Sequence, residues 1–372
     1  MIYFDNAATT FPKPGKVVYE TERCLREYCG NPGRGAHRLS LAAAEKIYEC
    51  RTSAAELFNA GEPENVVFTM NTTYALNTAI KSSVKKGDHV LISSMEHNSV
   101  LRPVVSLAEK GVITYGVFDA FAEDCISEIE KAMKPNTTAV ICAHASNICG
   151  RVLPIGEIGG FLKKKGIKFI VDCAQSAGKI KIDMAQMNID ALCVPGHKGL
   201  YGIQGGAMMI CSKNFGGSTF IEGGGGINSL DMRMPDFLPE RYEAGTLPTP
   251  CIAALNEGIR FVRSEGIDYI REKEEHLFRK ANERLRNMRK IRMYSDSAIL
   301  LFNIEGVSSA QTAYELDRRG ICVRSGFHCT PMCHKCLKTG DDGAVRVSFG
   351  VFNTEKEVIR FCDEVNRIAS RA

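Results

Sequence analysis

At 372 residues, with 44% of them hydrophobic, the chain is long enough to bury more than one core, and this length predicts two domains. A formal net charge of +4 is small for the size, and no stretch interleaves clustered arginine and lysine with aromatics, which argues against a nucleic-acid or membrane-surface protein. The N-terminus opens on Ile2-Tyr3-Phe4-Asp5 without a charged leader, and no apolar run reaches about 18 residues, so the expectation is a soluble, cytoplasmic protein.

In chain order, Tyr3 to Thr10 reads as a short strand entering a polar turn. Phe11-Pro-Lys-Pro14 cannot continue it and should cross between domains. A helix is expected from Val17 to Tyr28, broken by Gly30-Asn-Pro-Gly-Arg-Gly35. That loop has the spacing of a weak dinucleotide fingerprint, but no strand precedes it and the dinucleotide reading fails. Ser40 is the expected cap of an alanine-rich helix reaching Asn59.

From Val66 onward, apolar strands alternate with amphipathic helices, the pattern of a mostly parallel sheet covered on both faces. Strands are expected at 66–69, 89–93, 138–143, 168–171, 191–194 and 207–210. The pattern then lapses into a glycine-rich stretch, Gly223 to Gly226, followed by Glu243-Ala-Gly-Thr246. Helices at 249–264 and 266–288 lead to a second unit with strands at 298–304, 321–324 and 345–349 and helices at 309–318 and 354–369. The fold class is therefore α/β, a large mostly parallel-sheet domain at 14–250 with a smaller α+β domain made of 1–13 and 251–372.

Candidate chemistry gathers where two of these strands end. Gly196-His197-Lys198-Gly199 sets a lysine among glycines, which let a ligand approach the backbone closely. By itself such a lysine is also an ordinary turn residue. The strand ending in Asp172-Cys-Ala-Gln175 changes the weighing, because an acid at a strand's C-terminal end faces the ligand crevice of an open parallel sheet. Pyridoxal phosphate needs a lysine for its aldehyde and an acid for its pyridinium nitrogen, and Lys198 with Asp172 supply both. Thr69-Met-Asn-Thr72-Thr73 opens a helix whose free amides suit the phosphate, although a simple capping role is the alternative.

These stretches, with Glu96-His97-Asn98 and Ser146-Asn147, resemble the class V aminotransferase family. Arg324-Ser-Gly-Phe-His-Cys329 resembles the catalytic loop of its cysteine desulfurases and selenocysteine lyases, closer to their second, sulfur-mobilising group. The likeness runs from Phe4-Asp5-Asn6-Ala7-Ala8 to Phe352-Asn353-Thr354. It implies the pyridoxal-phosphate transferase fold of type I and a homodimer. It also implies His97 against the cofactor ring, Asn147 and Gln175 at the phenolic oxygen, and His197 with Thr72 and Thr73 at the phosphate. Thr246 would reach the phosphate of the partner's site. Arg346 would bind the substrate carboxylate, with Arg324 second and Asn6 and Ala8 nearby. Pro195 stands where the family often has a phosphate-binding serine, so one phosphate donor is missing.

Fifteen cysteines are scattered through apolar runs such as Val140-Ile-Cys142, as small buried hydrophobes of a reduced compartment. The exceptions are Cys329, Cys333 and Cys336, with His328 and His334 between them. A thiolate is the side chain suited to attack a substrate's sulfur, so Cys329 is the nucleophile, and positive charge near it, for which His328 is the neighbour in sequence, would favour the thiolate. The tract's C-x3-C-x2-C spacing also occurs in iron–sulfur enzymes, but at the start of a barrel. A persulfide relay to Cys333 or Cys336 and incidental cysteines both stay open, and no metal is expected.

The resulting expectation is a pyridoxal-phosphate-dependent cysteine desulfurase that converts L-cysteine to alanine and leaves a persulfide on Cys329 for a sulfur-acceptor protein. Its alternatives are a selenocysteine lyase acting on L-selenocysteine and a class V aminotransferase or lyase that does not use Cys329. A non-enzymatic sulfur carrier is disfavoured by the joint presence of Lys198, Asp172 and His97.

Overall fold

A computed structural model describes residues 1–33, 35–295 and 297–371. Arg34, within the expected Gly30 to Gly35 break, lies outside the described residues. The chain starts with β1 (Ile2–Tyr3), then α1 (Gly15–Arg23), a π-turn at Cys24–Tyr28, and α2 (Arg38–Phe58). There follow β2 (Val66–Thr69), α3 (Thr72–Ser83), β3 (Asp88–Ser93), α4 (Asn98–Glu109), β4 (Ile113–Phe118), α5 (Cys125–Ala132), β5 (Thr137–Ala143) and α6 (Ile155–Lys164). Next come β6 (Lys168–Asp172), β7 (Ala191–Pro195), β8 (Ala207–Cys211), α7 (Thr249–Glu265) and α8 (Ile267–Arg286). The C-terminal part adds β9 (Ile291–Met293), β10 (Ile299–Ile304), α9 (Ser309–Asp317), β11 (Ile321–Cys322), β12 (Arg324–Gly326), α10 (Pro331–Leu337), β13 (Ala344–Ser348) and α11 (Glu355–Ala369).

Seven strands form the large sheet, in the order β2-β8-β7-β6-β5-β3-β4. Only β8 runs against its neighbours. Strands such as β7 (Ala-Leu-Cys-Val-Pro) are buried along their whole length because helices cover both faces, which is why they read as continuous apolar runs. One core lies under α2, α5, α6 and α7 and includes Phe58, Leu91, Phe169 and Leu255. The other lies under α3 and α4, with Leu76, Ile80, Ile92 and Ile141.

Register decides where the chemistry goes. Ala143 pairs with Asp172, and Asp172 with Cys193, so β5, β6 and β7 end side by side. Because β8 is antiparallel to both β2 and β7, β2 runs parallel to β7 and ends on the same edge. The turns after β2, β3, β5, β6 and β7 thus face one crevice, at the carboxyl ends of the strands.

The smaller unit has an antiparallel sheet, β12-β13-β10-β9, backed by α8, α9 and α11 around Phe302, Phe349 and Phe361. The N-terminus belongs to it. β1 pairs with β11, and the Phe4 ring meets Phe349 and Phe361 edge-on at 5.0 and 5.7 Å. Thr354 opens α11 with a capping box to Glu357.

Several expectations need correction. The strand expected at 321–324 is two: β11 pairs with β1, while β12 crosses to β13. Ser40 does not cap α2. The His37 ring does, and the Ser40 hydroxyl instead donates to Asn31 O at 2.6 Å, tying down the preceding loop. The edge strand β4 escaped the sequence reading because its exposed Tyr115 and Val117 and its Gly116 blur the apolar run. Cys333 and Cys336 of the cysteine tract lie on a short helix, α10, which Pro331 opens, while Cys329 precedes it on a loop. Ile252, Leu255, Ile259 and Val262 of α7 join the large core, where α7 packs beside α1 and α2. No helix among the described residues is long and apolar enough to cross a membrane.

Candidate active site

Lys198 sits in the turn after β7, partly buried at the crevice. Burial pulls its amine down to about 8, a shift that Asp172 opposes and that Arg346, Lys179 and Arg324 reinforce. Asp172 itself is buried at the end of β6. Burial raises its carboxyl, while the Ala174 amide, donating at 2.8 Å, and Lys198 hold it down. The expected lysine and acid therefore share one electrostatic environment.

The N-terminal segment fixes the backbone that carries the lysine. Lys13 Nζ donates to His197 O at 2.7 Å, the Thr9 hydroxyl to the same oxygen at 3.1 Å, and the Thr10 hydroxyl to Lys198 O at 3.1 Å. Sequence reading assigned Thr9, Thr10 and Lys13 no role. Only the crossing of 11–14 between domains pointed to them.

On the other side of the crevice, α3 begins at Thr72 behind an Asn71 cap, and its first amides and dipole suit an anion. The Thr72 hydroxyl and His197 Nδ1 are buried without a hydrogen-bond partner. Buried polar groups are seldom left so, and these two ask for an acceptor or donor that the chain does not supply. Thr73 is committed instead: its hydroxyl meets Ser99 Oγ at 2.8 Å, and Ser99 Oγ meets His97 Nδ1 at 2.8 Å. The Ser99 amide also donates to His97 Nδ1 at 3.1 Å, which leaves the ring proton on Nε2. Burial, helped by Lys198, Arg102, Arg324 and Arg346, lowers His97 to about 4, so the ring is neutral. Ser99 was missed by the sequence reading, which took Glu96 only as part of the Glu96-His97-Asn98 stretch and gave it no role. That carboxyl is pushed up to about 8 by burial, with Oε1 accepting from the Ala143 amide at 2.8 Å.

Cys329 is exposed, on a loop where His328 and Cys329 both have positive φ, +50° and +58°. Such backbone is costly for residues with a side chain and persists where contacts over-determine it. Here the Asn98 amide donates to Cys329 O at 2.8 Å, Asn147 Nδ2 to His328 O at 2.9 Å, and the Thr330 hydroxyl to Asn147 Oδ1 at 2.7 Å. The loop is thereby pinned to the turns carrying His97 and Asn147. Asn147 retains donor and acceptor capacity for a ligand.

One expectation about this loop fails. His328 is not a positive neighbour of Cys329: its ring points inward, stacks on His334 at 5.4 Å and meets His334 Nε2 at 3.2 Å through Nδ1. Burial, then Arg346 and His334, drive it to about 2, so it is neutral.

Arg346, in the middle of β13, is buried, with Nη2 on Asp5 Oδ1 at 2.6 Å and Nη1 on Asn147 O at 3.1 Å; its Nε has no partner. Arg324 is its cross-strand neighbour and is exposed. Asn6 is buried and engaged with Ser348 O at 3.0 Å and the Asn353 side chain at 3.3 Å, Ala8 is half-buried beside it in the chain, and Gln175 Nε2 donates to Ala7 O at 3.0 Å.

Thr246 is exposed, in a hollow with Thr69, Met70 and Tyr74. Glu243, three residues before it, is held by the Arg51 guanidinium at 2.9 Å and by the Phe68 amide at 2.6 Å. The remaining thiols of the tract diverge: Cys333 is fully buried, whereas Cys336 is exposed. Among the described residues no group of three or more histidine, cysteine or acidic side chains could hold a metal ion.

The sequence matches the family model described as Aminotransferase class-V over residues 2–361. The chain belongs to the class-V aminotransferase family. Within that class-V family it is similar to proteins named probable cysteine desulfurase. The one from Pyrococcus abyssi is 33% identical over 97% of this chain and 92% of the relative, and the one from Methanothermobacter thermautotrophicus is 33% identical over 99% and 94%. Among solved structures, the apo cysteine desulfurase of Thermococcus onnurineus superposes with a TM-score of 0.93 at 31% identity, covering 100% of this chain and 95% of that one. The chain thus has the large, mostly parallel sheet with helices on both faces that its sequence led one to expect.

Proposed function

We propose that this chain is a pyridoxal-phosphate-dependent cysteine desulfurase that takes the sulfur of L-cysteine and leaves alanine and a persulfide on Cys329. The observation that carries the reading is the meeting, at one sheet edge, of a lysine lowered to about 8, a buried acid and a loop bearing an exposed thiol. The residues present also fit the cofactor. The orphaned Thr72 hydroxyl and His197 Nδ1, with the start of α3, match a phosphate, so the serine replaced by Pro195 is one donor among several.

Bound pyridoxal phosphate supplies an electron sink beside the substrate's α-carbon. Asp172 would hold a proton at the ring nitrogen, and the neutral, Ser99-fixed His97 would offer a flat face to the ring. Lys198 would hold the aldehyde, and its Nζ, with its depressed pKa, would move the substrate's α-proton. Arg346 takes the substrate carboxylate with donors left free by Asp5 and Asn147, with Arg324 at the mouth and Asn6, Ala8 and Gln175 lining the N-terminal side. Cys329 Sγ attacks the substrate's sulfur: an S–S bond forms, the Cβ–S bond breaks, and Cβ gains a proton to become the methyl of alanine. A second copy of the chain would bring Thr246 to the phosphate, with Glu243 clamped by Arg51 to set its position. The protein would act in the cytoplasm, and a sulfur-acceptor protein would draw on the exposed Cys329.

A panel of amino acids tested together for sulfide, selenide and keto-acid release decides the matter. Alanine and sulfide from L-cysteine in the presence of a thiol reductant are expected. Keto acid without sulfide, or release from L-selenocysteine alone, would overturn the reading.

A further inference from the structure

Lys13 is an ammonium held where no acid answers it. It stands between Pro12 and Pro14, in the segment that leads from the first turn to α1, and its side chain is half-buried. Nζ donates to His197 O at 2.7 Å and to Thr10 Oγ1 at 2.8 Å, both uncharged acceptors. Among the described residues it forms no ion pair. An ammonium has three N–H donors, so one remains. A cation drawn out of water without a counter-ion loses hydration that two neutral oxygens replace only in part. Burial, with no carboxylate opposing it, accordingly pulls the amine down to about 8.

The cofactor's phosphate has the complementary deficit, because a phosphate monoester carries about −1.5 to −2 charges near neutral pH. Of the groups that fit it, the Thr72 hydroxyl is neutral and the amides opening α3 offer a partial charge. His197 is neutral as well, since burial and the charges of Lys198 and Lys13 bring it down to about 4. Pro195 has neither a hydroxyl nor an N–H to give. That set therefore brings no full positive charge to a dianion. Lys13 grips the backbone oxygen of the same residue whose ring Nδ1 is orphaned.

We infer that Lys13 is a phosphate-binding residue of the cofactor site, the cation that balances the phosphate group beside His197. It makes up for the donor missing at Pro195. The N-terminal segment then has two tasks: Thr9 and Thr10 fix the backbone of the Lys198 turn, and Lys13 adds charge. The inference rests on the pyridoxal-phosphate reading of the site.

The test compares pyridoxal phosphate with pyridoxal, which has the same ring and aldehyde but no phosphate. Each is titrated into the full-length, cofactor-free protein and followed by absorbance, in the unaltered chain, Lys13→Gln and Lys13→Arg. Glutamine keeps a donor for His197 O and loses the charge. The preference for pyridoxal phosphate over pyridoxal should fall about tenfold in Lys13→Gln and return in Lys13→Arg. A residue that only braced the turn would weaken both ligands alike, and an unaltered preference in Lys13→Gln would overturn the inference. Should that variant not fold, the unaltered chain decides. Acetylation of Lys13 by acetic anhydride, read by peptide mapping, should slow when inorganic phosphate replaces chloride at equal ionic strength, because a bound anion keeps the ammonium protonated. Equal labelling in the two salts would also overturn it. An unaltered chain with no preference for pyridoxal phosphate over pyridoxal would instead sink the phosphate site itself, and the cofactor reading with it.

Discussion

Arg346 donates to Asp5 Oδ1 at 2.6 Å from a side chain only 3% exposed, and so joins the middle of the small domain's sheet to the first turn of the chain. Guanidinium has five N–H donors, and Asp5 and Asn147 take two, leaving Nε and others for a substrate carboxylate. Arg346→Lys keeps the charge and loses the fork. With a charge-assisted hydrogen bond worth about 1.5–3 kcal/mol, KM for L-cysteine should rise roughly 10- to 100-fold. Arg346→Met should also destabilise the fold by about 3–5 kcal/mol in urea denaturation, because it strands a partly buried carboxylate. An unchanged KM in the lysine variant would remove Arg346 from substrate binding.

Glu96 provides a test that needs no substrate. Its carboxyl is raised to about 8 by burial, with Ser93 and the Ala143 amide opposing and Asp172 adding to the shift. An unfolded glutamate ionises near its ordinary value of 4.5, so between there and 8 the folded state binds more protons than the unfolded one. Stability from this group is therefore full in acid and is lost as the pH climbs through that window. Glu96→Gln abolishes the titration, so its melting temperature should gain on wild type progressively from pH 5 to about pH 8 and level off above. A difference between the two proteins that does not vary with pH would mean that Glu96 is ionised in the fold.

Lys198 titrates in the opposite sense. Below its lowered value of about 8 the amine is protonated and cannot attack an aldehyde; above it the amine is neutral. Capture of pyridoxal phosphate by the cofactor-free protein, followed by absorbance and fixed by borohydride for mapping, should speed up as the pH rises through about 8 rather than 10.5. Lys198→Ala should remain folded and lose turnover by about 10²–10⁴-fold or more. Substantial activity in that variant would remove Lys198 from the chemistry.

How much of this was legible in the sequence follows from what carries the signal. Strands β5, β6 and β7 are covered on both faces, so their apolar runs stand out to within a residue or two. Strand β4, at the sheet edge with Tyr115 exposed, has no such run. Lys198, Asp172 and His97 could be singled out because each lies at or just after a strand end and matches a family motif. The Thr9, Thr10 and Lys13 contacts with His197 and Lys198 join residues nearly the length of a domain apart, and no local pattern reports them. The orientation of His328 was unreadable for a related reason: adjacency to Cys329 says nothing about which way a ring turns when two successive residues take positive φ.

That orientation makes the last prediction. With His328 neutral and stacked on His334, Cys329 has no imidazolium at its side, and the residues that set its loop are Asn98, Asn147 and Thr330. Cys329→Ser should bind cofactor and substrate but release sulfide about 10²-fold more slowly or not at all, since a hydroxyl is a far weaker nucleophile near neutral pH. Thr330→Val keeps the thiol and removes the donor to Asn147, so persulfide formation on Cys329, measured by mass spectrometry after single turnover, should slow while substrate affinity holds. His328→Gln, by contrast, should cost stability through the lost ring stack without shifting the pH profile of sulfide release. A profile that moves in His328→Gln would show that His328 acts on the Cys329 thiol after all, and a persulfide found only on Cys333 or Cys336 would displace Cys329 as the nucleophile.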